Sequence, residues 1–245
     1  MVNVINNNRK RKDVLVIAHR GASSIAPPNT MKSFQKAIEL DADYIEFDVH
    51  RSKDGEIVII HDAYISQESG QTRLIKDMTL QELKNIDVGN GEQIPTLKEL
   101  IKIAKGNIGL HCEVKALNFS KELVQLLIQE NLRESTIISS FLFNELLKIQ
   151  KLDTSLKLGL IIPKEIRSLQ ALIKYSQKAI DNNFYAVHPY FKSINKEYIE
   201  FTHKHNLKVN VWTVNMESDM KEVLKLGIDG IISDDIDLVK KLLNA

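Results

Sequence analysis

Short apolar runs alternate with amphipathic stretches along nearly all of this 245-residue chain, and that alternation sharply limits the folds open to it. Strand-like runs fall at 14–18, 44–49, 108–114, 136–140, 156–162, 184–187, 207–213 and 230–232. Helix-like stretches fall at 29–40, 96–105, 120–131, 143–152, 164–180, 195–205, 217–226 and 235–243. Asn29 or Thr30 can cap the first of these helices. Eight strand–helix pairs with short connections imply parallel strands joined by right-handed crossovers. The fold class expected is α/β, a closed (β/α)8 TIM barrel. A doubly wound open sheet is the alternative, but no Gly-x-Gly-x-x-Gly turn supports it.

One run breaks the order. Residues 56–61 look like a strand, yet only six residues separate them from the run at 44–49. A connection this short closes a hairpin; a parallel crossover needs about a dozen residues. Asp54-Gly55 is a turn dipeptide. The run should therefore lie antiparallel to its predecessor and outside the barrel, within an insertion after strand 2 spanning about 50–95 and holding a short helix near 79–86. No linker rich in Pro, Gly or Ser marks a second domain, so residues 14–245 read as one domain.

Composition removes whole classes of function. Lys and Arg number 33 against 32 Asp and Glu, which leaves no basic surplus for nucleic acid and no acidic solvating tail. Cys112 is the single cysteine, so neither a disulfide framework nor a cysteine-built zinc site is available. No run approaches the ~20 apolar residues of a membrane span, which argues against stable membrane insertion. Residues 1–13 carry a basic cluster at 9–12 and read as a flexible leader; the apolar run that follows is too short for a signal-peptide core. The expected compartment is the cytoplasm.

Polar residues sit where a barrel strand should be apolar. In Tyr44-Ile45-Glu46-Phe47-Asp48-Val49, the period of two puts Ile45, Phe47 and Val49 on one face and Glu46 and Asp48 on the other. In His111-Cys112-Glu113-Val114-Lys115 the same rule turns His111, Glu113 and Lys115 inward. Neighbouring strands lie ~4.8 Å apart, so Glu113 can reach the ion that Glu46 and Asp48 would hold. Three carboxylates without a thiolate make a hard oxygen site, suited to Mg²⁺ or Ca²⁺. The competing explanation is a set of buried acids each held by Arg or Lys. Lys115 offers a counter-charge for a substrate anion. His19 ends the first strand, where barrel enzymes carry their chemistry; Arg20 offers a planar fork to a phosphate, and Gly21 lets the chain turn beneath a ligand. His61 is carried over the mouth by the hairpin, and Asp62 either orients an imidazole or caps the turn.

Taken in order, His19-Arg20-Gly21, Pro27-Pro28-Asn29-Thr30, Ile45-Glu46-Phe47-Asp48-Val49, Lys53-Asp54-Gly55, His61-Asp62, Ile94-Pro95-Thr96-Leu97, Glu113-Val114-Lys115, Ser140-Phe141, Trp212-Thr213-Val214-Asn215 and Gly227-Ile228-Asp229-Gly230 resemble the glycerophosphodiester phosphodiesterase family. The resemblance runs from about residue 14 to the C-terminus. It implies a TIM barrel with a small insertion after strand 2. It also implies a metal-dependent hydrolase that cleaves small-molecule glycerophosphodiesters to sn-glycerol 3-phosphate and an alcohol. Carried over residue by residue, it implies Glu46, Asp48 and Glu113 as ligands of one divalent cation (Mg²⁺ or Ca²⁺, with Mn²⁺ as a further candidate). His19 and His61 become the acid–base pair, Arg20 and Lys115 the phosphate contacts, and Trp212 a wall of the substrate pocket.

Two positions depart from the family pattern. Pro28 stands where the family has Glu, which should leave Arg20 less firmly oriented. His111 stands where the family has Asn, and is either a hydrogen-bond donor to a ligand carboxylate or a satisfied core histidine. His203 and His205 point in different directions on one helix and form no metal pair. His188-Pro189-Tyr190 follows a strand and could line the mouth, though it reads mostly as a loop; Ser233-Asp234-Asp235 reads best as a helix cap, although Asp234 matches a family acid near the site; and Ser140 lacks an adjacent base. Two rival functions remain, a phospholipase D-like cyclising phosphodiesterase and a non-catalytic phosphate-binding barrel. Nothing in the sequence marks an oligomer seam.

Overall fold

The computed structural model describes residues 14–66 and 72–244; the proposed leader, 1–13, lies outside them. The strands are β1 (Leu15–His19), β2 (Tyr44–Arg51), β3 (Ile57–Ile59), β4 (Tyr64–Ser66), β5 (Thr72–Leu74), β6 (Gly109–Val114), β7 (Thr136–Ser140), β8 (Lys157–Ile161), β9 (Ala186–His188), β10 (Lys208–Val211) and β11 (Gly230–Ser233). The helices are α1 (Met31–Glu39), α2 (Leu80–Lys84), α3 (Leu97–Ala104), α4 (Ser120–Gln129), α5 (Phe143–Leu152), α6 (Leu169–Asp181), α7 (Lys196–Lys204), α8 (Glu217–Leu226) and α9 (Ile236–Leu243). The sheet runs β1-β11-β10-β9-β8-β7-β6-β2 and closes because β1 also pairs with β2, every pairing on that circuit being parallel. This is the expected TIM barrel of eight parallel strands, with helices between them.

The main core lies between barrel and helices. Ile45, Phe47 and Val49 of β2 and Cys112 and Val114 of β6 are buried there, opposite helix positions such as Phe34, Leu97, Leu100 and Leu123. Helix starts follow side-chain caps. Thr30, Thr79 and Thr96 each close a capping box onto the third residue of their helix. Thr30, not Asn29, caps α1; Asn29 instead takes a left-handed φ of 58° and turns its side chain toward β2.

Several boundaries differ from the sequence reading. Helix α6 begins at Leu169 rather than 164, because the Ser168 side chain accepts from the Ala171 N–H and fixes the start there. Strand β9 is shifted to Ala186–His188. Strand β2 extends to Arg51, since its last turn of chain pairs antiparallel with β3 (Val49 with Ile59, Arg51 with Ile57). The expected hairpin is thus present. The insertion adds a second antiparallel pair, β4 with β5, which the sequence did not announce. Three-residue strands with exposed ends are too short to display an alternation. A small core of Val58, Ile75, Met78, Leu83 and Ile94 anchors the insertion. No helix among the described residues is long and apolar enough to cross a membrane.

Inside the barrel, Gly159 of β8 lies under the His188 ring. A Cβ built at Gly159 would come within 2.0 Å of His188 Nε2, on a ring that is only 1% exposed, so ring or strand must shift to admit it. Gly159→Ala should therefore destabilise the fold by about 1–3 kcal/mol through overpacking. Calorimetry should register this as a Tm loss of several degrees; an unchanged Tm would mean the ring has room that the packing denies.

Candidate active site

The C-terminal ends of β1, β2 and β6 bring the polar residues together. Register pairs Asp48 with Glu113 and Glu46 with His111 across the β2–β6 ladder. One carboxylate oxygen from each of Glu46, Asp48 and Glu113 lies within 4.8 Å of the others. Such crowding is costly in a buried place. Burial and the neighbouring carboxylates push the Glu46 carboxyl well above its usual range, and they push Glu113 up to about 7. Asp48 behaves oppositely. Burial works against its charge, yet Lys115, Arg20 and the Asn29 amide overcome that and hold it below the ordinary value. Lys115 Nζ stands 3.2 Å from Asp48 Oδ1 and 2.7 Å from Glu113 Oε1.

The loop after β1 forms a shelf beside these acids. Arg20 has a φ of 55° and Gly21 a φ of 83°, and this left-handed pair folds the chain back so that the Arg20 N–H donates to Glu46 Oε2 at 2.9 Å. A Cβ at Gly21 would collide with Ser33 at 2.4 Å, so the turn requires glycine. Ser33 Oγ and the Asn29 N–H both donate to the Arg20 carbonyl. Arg20 Nε lies 3.2 Å from Asp48 Oδ2, and Asn29 Nδ2 donates to that same oxygen at 2.9 Å. Arg20 is thus anchored on Asp48 and along its main chain, despite Pro28 in place of an acid.

Each exposed-edge imidazole has a carboxylate behind it. His19 Nδ1 is 2.6 Å from Asp234 Oδ1. Burial opposes ionisation of Asp234, but hydrogen bonds from His19, Ser23 and Asn215 hold its carboxyl down at about 2. The cap of α9 is Asp235, whose side chain accepts from the Leu238 N–H, so Asp234 is freed from the capping role read from the sequence. His61 Nδ1 is 2.7 Å from Asp62 Oδ1, which settles the Asp62 alternatives in favour of orienting the ring. Burial lowers the His61 pKa. His50, also buried, places Nε2 3.1 Å from the His61 carbonyl and ties the hairpin to the barrel rim.

A cavity of about 200 Å³ opens among these groups, lined by His19, Arg20, Glu46, His61, Glu113 and Lys115. Phe141 and Trp212 form one wall, edge to face at 5.8 Å. Trp212 is fixed by its indole N–H, which donates to the His188 carbonyl at 2.8 Å. All eight residues expected at the site therefore border or reach this one cavity or the acidic cluster beside it. His188 is not a loop residue. It ends β9, is fully buried, and stacks on His111. His111 is not a satisfied core histidine either, since neither ring nitrogen has a hydrogen-bond partner. Away from the site, Ser140 Oγ donates to the Val114 carbonyl, and His203 pairs with Asp229.

The donor set suits a hard divalent cation. It is all carboxylate, it is nearly dry, and Glu113 Oε1 is buried with no hydrogen bond of proper geometry. A carboxyl held at about 7 against a usual 4.5 keeps its proton in the folded state where the unfolded chain has lost it. The metal-free fold thus loses stability as pH rises across that window. A cation that displaces the proton removes the penalty. The Tm increase on adding Mg²⁺ or Ca²⁺ should accordingly be larger near about pH 8 than near about pH 5.5, as read by thermal shift; equal increases at both would mean that protons do not compete for the site.

Known proteins resemble this chain in sequence and fold. The family model described as "Glycerophosphoryl diester phosphodiesterase family" matches residues 19–238. A glycerophosphodiester phosphodiesterase of Caldanaerobacter subterraneus is 36% identical over 244 residues, covering 93% of this chain and 98% of that protein. Among solved structures, the glycerophosphodiester phosphodiesterase of Thermotoga maritima superposes with a TM-score of 0.77 at 29% identity, over 94% of this chain and 98% of that one. A phosphodiesterase of Oleispira antarctica, solved in complex with the product sn-glycerol-3-phosphate, superposes with a TM-score of 0.81 at 26% identity, over 94% of this chain and 97% of that one. By sequence, fold and the residues gathered at the barrel mouth, the chain belongs to the glycerophosphoryl diester phosphodiesterase family.

Proposed function

We propose that this protein hydrolyses glycerophosphodiesters to sn-glycerol 3-phosphate and an alcohol, with one divalent cation held by Glu46, Asp48 and Glu113. The observation that carries the reading is the convergence of three buried carboxylates within 4.8 Å beside Arg20 and Lys115 and between two carboxylate-backed imidazoles. Mg²⁺, Ca²⁺ and Mn²⁺ are all candidates, and the cation, when bound, supplies positive charge against a phosphoryl oxygen. The chain's own residues do the remainder. Arg20 spends only its Nε on Asp48, and the outer edge of a guanidinium offers further N–H donors to the phosphate. Lys115 adds a second positive charge, which favours the dianionic build-up of the transition state over the ground-state monoanion.

His19 and His61 form the acid–base pair. Each has Nδ1 committed to a carboxylate, which fixes the ring and leaves Nε2 to exchange a proton with the substrate. Ionised Asp234 steadies the His19 imidazolium that forms during turnover. One ring takes the proton of the nucleophile, and the other delivers a proton to the departing alcohol oxygen. The nucleophile is water or the glycerol 2-hydroxyl, and the same pair serves either. Trp212 packs against the substrate. With its one cysteine buried and unpaired, the chain suits a reducing, cytoplasmic setting and a role in glycerol and lipid-headgroup metabolism, as a single catalytic domain from residue 14 onward.

His19→Ala and His61→Ala should each lower kcat about 10²–10⁴-fold in a coupled assay for glycerol 3-phosphate released from glycerophosphocholine. A variant that kept full turnover would remove its histidine from the mechanism. Asp234→Asn should cost about 10–100-fold, because it loosens His19 without removing it. Chelation with EDTA should abolish activity, and Mg²⁺, Ca²⁺ or Mn²⁺ should restore it. Phosphorus NMR identifies the product: a persistent cyclic phosphate would reassign the reaction to the cyclising class, and no turnover with any cation would point to a phosphate-binding barrel.

A further inference from the structure

Below the acids the barrel interior turns polar again, and the mechanism uses none of that polarity. His111 on β6 and His188 at the end of β9 are each 1% exposed. Their ring centroids stand 4.7 Å apart with the planes tilted by 43°. Neither ring nitrogen of His111 has a hydrogen-bond partner, while the His188 ring meets the Asn210 main chain and packs its Nε2 edge against Gly159. Buried polar groups are almost always paired, so the two bare nitrogens of His111, stacked on a second imidazole at the pocket floor, point to a partner outside the chain. Both rings line the same 200 Å³ cavity that His19, Glu113 and Lys115 border higher up.

The chemistry of that partner can be narrowed. A neutral imidazole presents one N–H donor and one bare acceptor nitrogen. Burial with no acid alongside keeps His188 uncharged, its pKa being held down to about 3. An uncharged pair of rings offers donors and acceptors in equal number. That suits hydroxyl groups, which also donate and accept. It does not suit a phosphate or carboxylate, which needs donors alone, nor an ammonium, which needs acceptors alone. A second metal ion is disfavoured too, because the acidic cluster is the only three-ligand group found among the described residues and neither ring belongs to it.

Two cavities share Arg20 and His61, the groups proposed to flank the phosphate. One is this pocket, with Phe141 and Trp212 as an aromatic wall. The other is an outer groove of about 400 Å³ bordered by Arg20, Pro28, Ile60, His61 and Tyr64. We infer that His111 and His188 form a hydroxyl-reading floor that receives the glycerol half of the substrate, its C–H edge against Trp212, while the variable alcohol occupies the outer groove. This inference rests on the proposed hydrolase reading and adds the residues that select for a polyol. His111 and His188 are specificity determinants here; no proton transfer is assigned to them.

The test uses the full chain with saturating Mg²⁺ and bis(4-nitrophenyl) phosphate, a diester without hydroxyls, as reporter substrate. Glycerol 3-phosphate should inhibit its hydrolysis at concentrations at least ~10-fold lower than propyl phosphate, which has the same length and charge but no hydroxyls. Equal inhibition would overturn the floor, whether or not glycerophosphodiesters are substrates. Separately, His111→Leu and His188→Leu should lower kcat/KM for glycerophosphocholine about 10-fold or more relative to the value for the reporter. His→Gln at the same positions, which keeps a donor and an acceptor, should recover most of that ratio. A parallel fall on both substrates would reduce the two rings to packing. If the wild type cleaves the reporter but no glycerophosphodiester, the hydrolase reading fails, while the inhibitor comparison still decides what the floor recognises.

Discussion

Three carboxylates forced into one dry corner are the constraint around which the top of this barrel is arranged. Like charges at such separations cannot all ionise without compensation. The chain answers in layers. Asn29 and Arg20 converge on one oxygen of Asp48, Lys115 spans Asp48 and Glu113, and the Arg20 N–H caps Glu46. Each answer needs a particular backbone. Left-handed turns at Arg20 and Asn29 and the glycine at 21 exist to bring donors onto the acids. What these donors leave uncompensated is the incentive to take up a cation, and therefore the origin of the chemistry.

Rigid and adjustable parts are divided accordingly. The acids stand on β2 and β6, whose ladder is continuous from Tyr44–Gly109 to Val49–Val114. A wall of paired strands fixes ligand positions better than loops do. His19 ends β1, also in the wall, but His61 arrives on the hairpin extension of β2, tied down by the His50 contact to its carbonyl. One imidazole is thus fixed by the barrel and the other by an insertion with its own small core.

Much of this was legible before any coordinates. The period of two on β2 and β6 separated Glu46, Asp48 and Glu113 from Ile45, Phe47 and Val114, because barrel strands are packed on one side by helices and on the other by the interior. The six-residue gap before residue 56 forces a hairpin by chain length alone. Other features were hidden for physical reasons. Ser233-Asp234-Asp235 reads locally as a helix cap, and only the fold shows that Asp235 fills that role while Asp234, the position matching a family acid, reaches His19, 215 positions away. The His188 environment was invisible because its neighbours, Gly159, Asn210 and His111, come from three other strands. The start of α6 was misjudged by five residues because the apolar periodicity runs past the Ser168 cap.

By itself the sequence determined the barrel, the insertion and the inward acids, since alternation, connection length and side-chain parity are local and survive any arrangement of the rest. Only the tertiary structure decided which carboxylate backs which imidazole and left the His111 ring nitrogens without partners at the pocket floor. Those outcomes are set by distances between residues far apart in the chain, and such distances exist only once the barrel has closed.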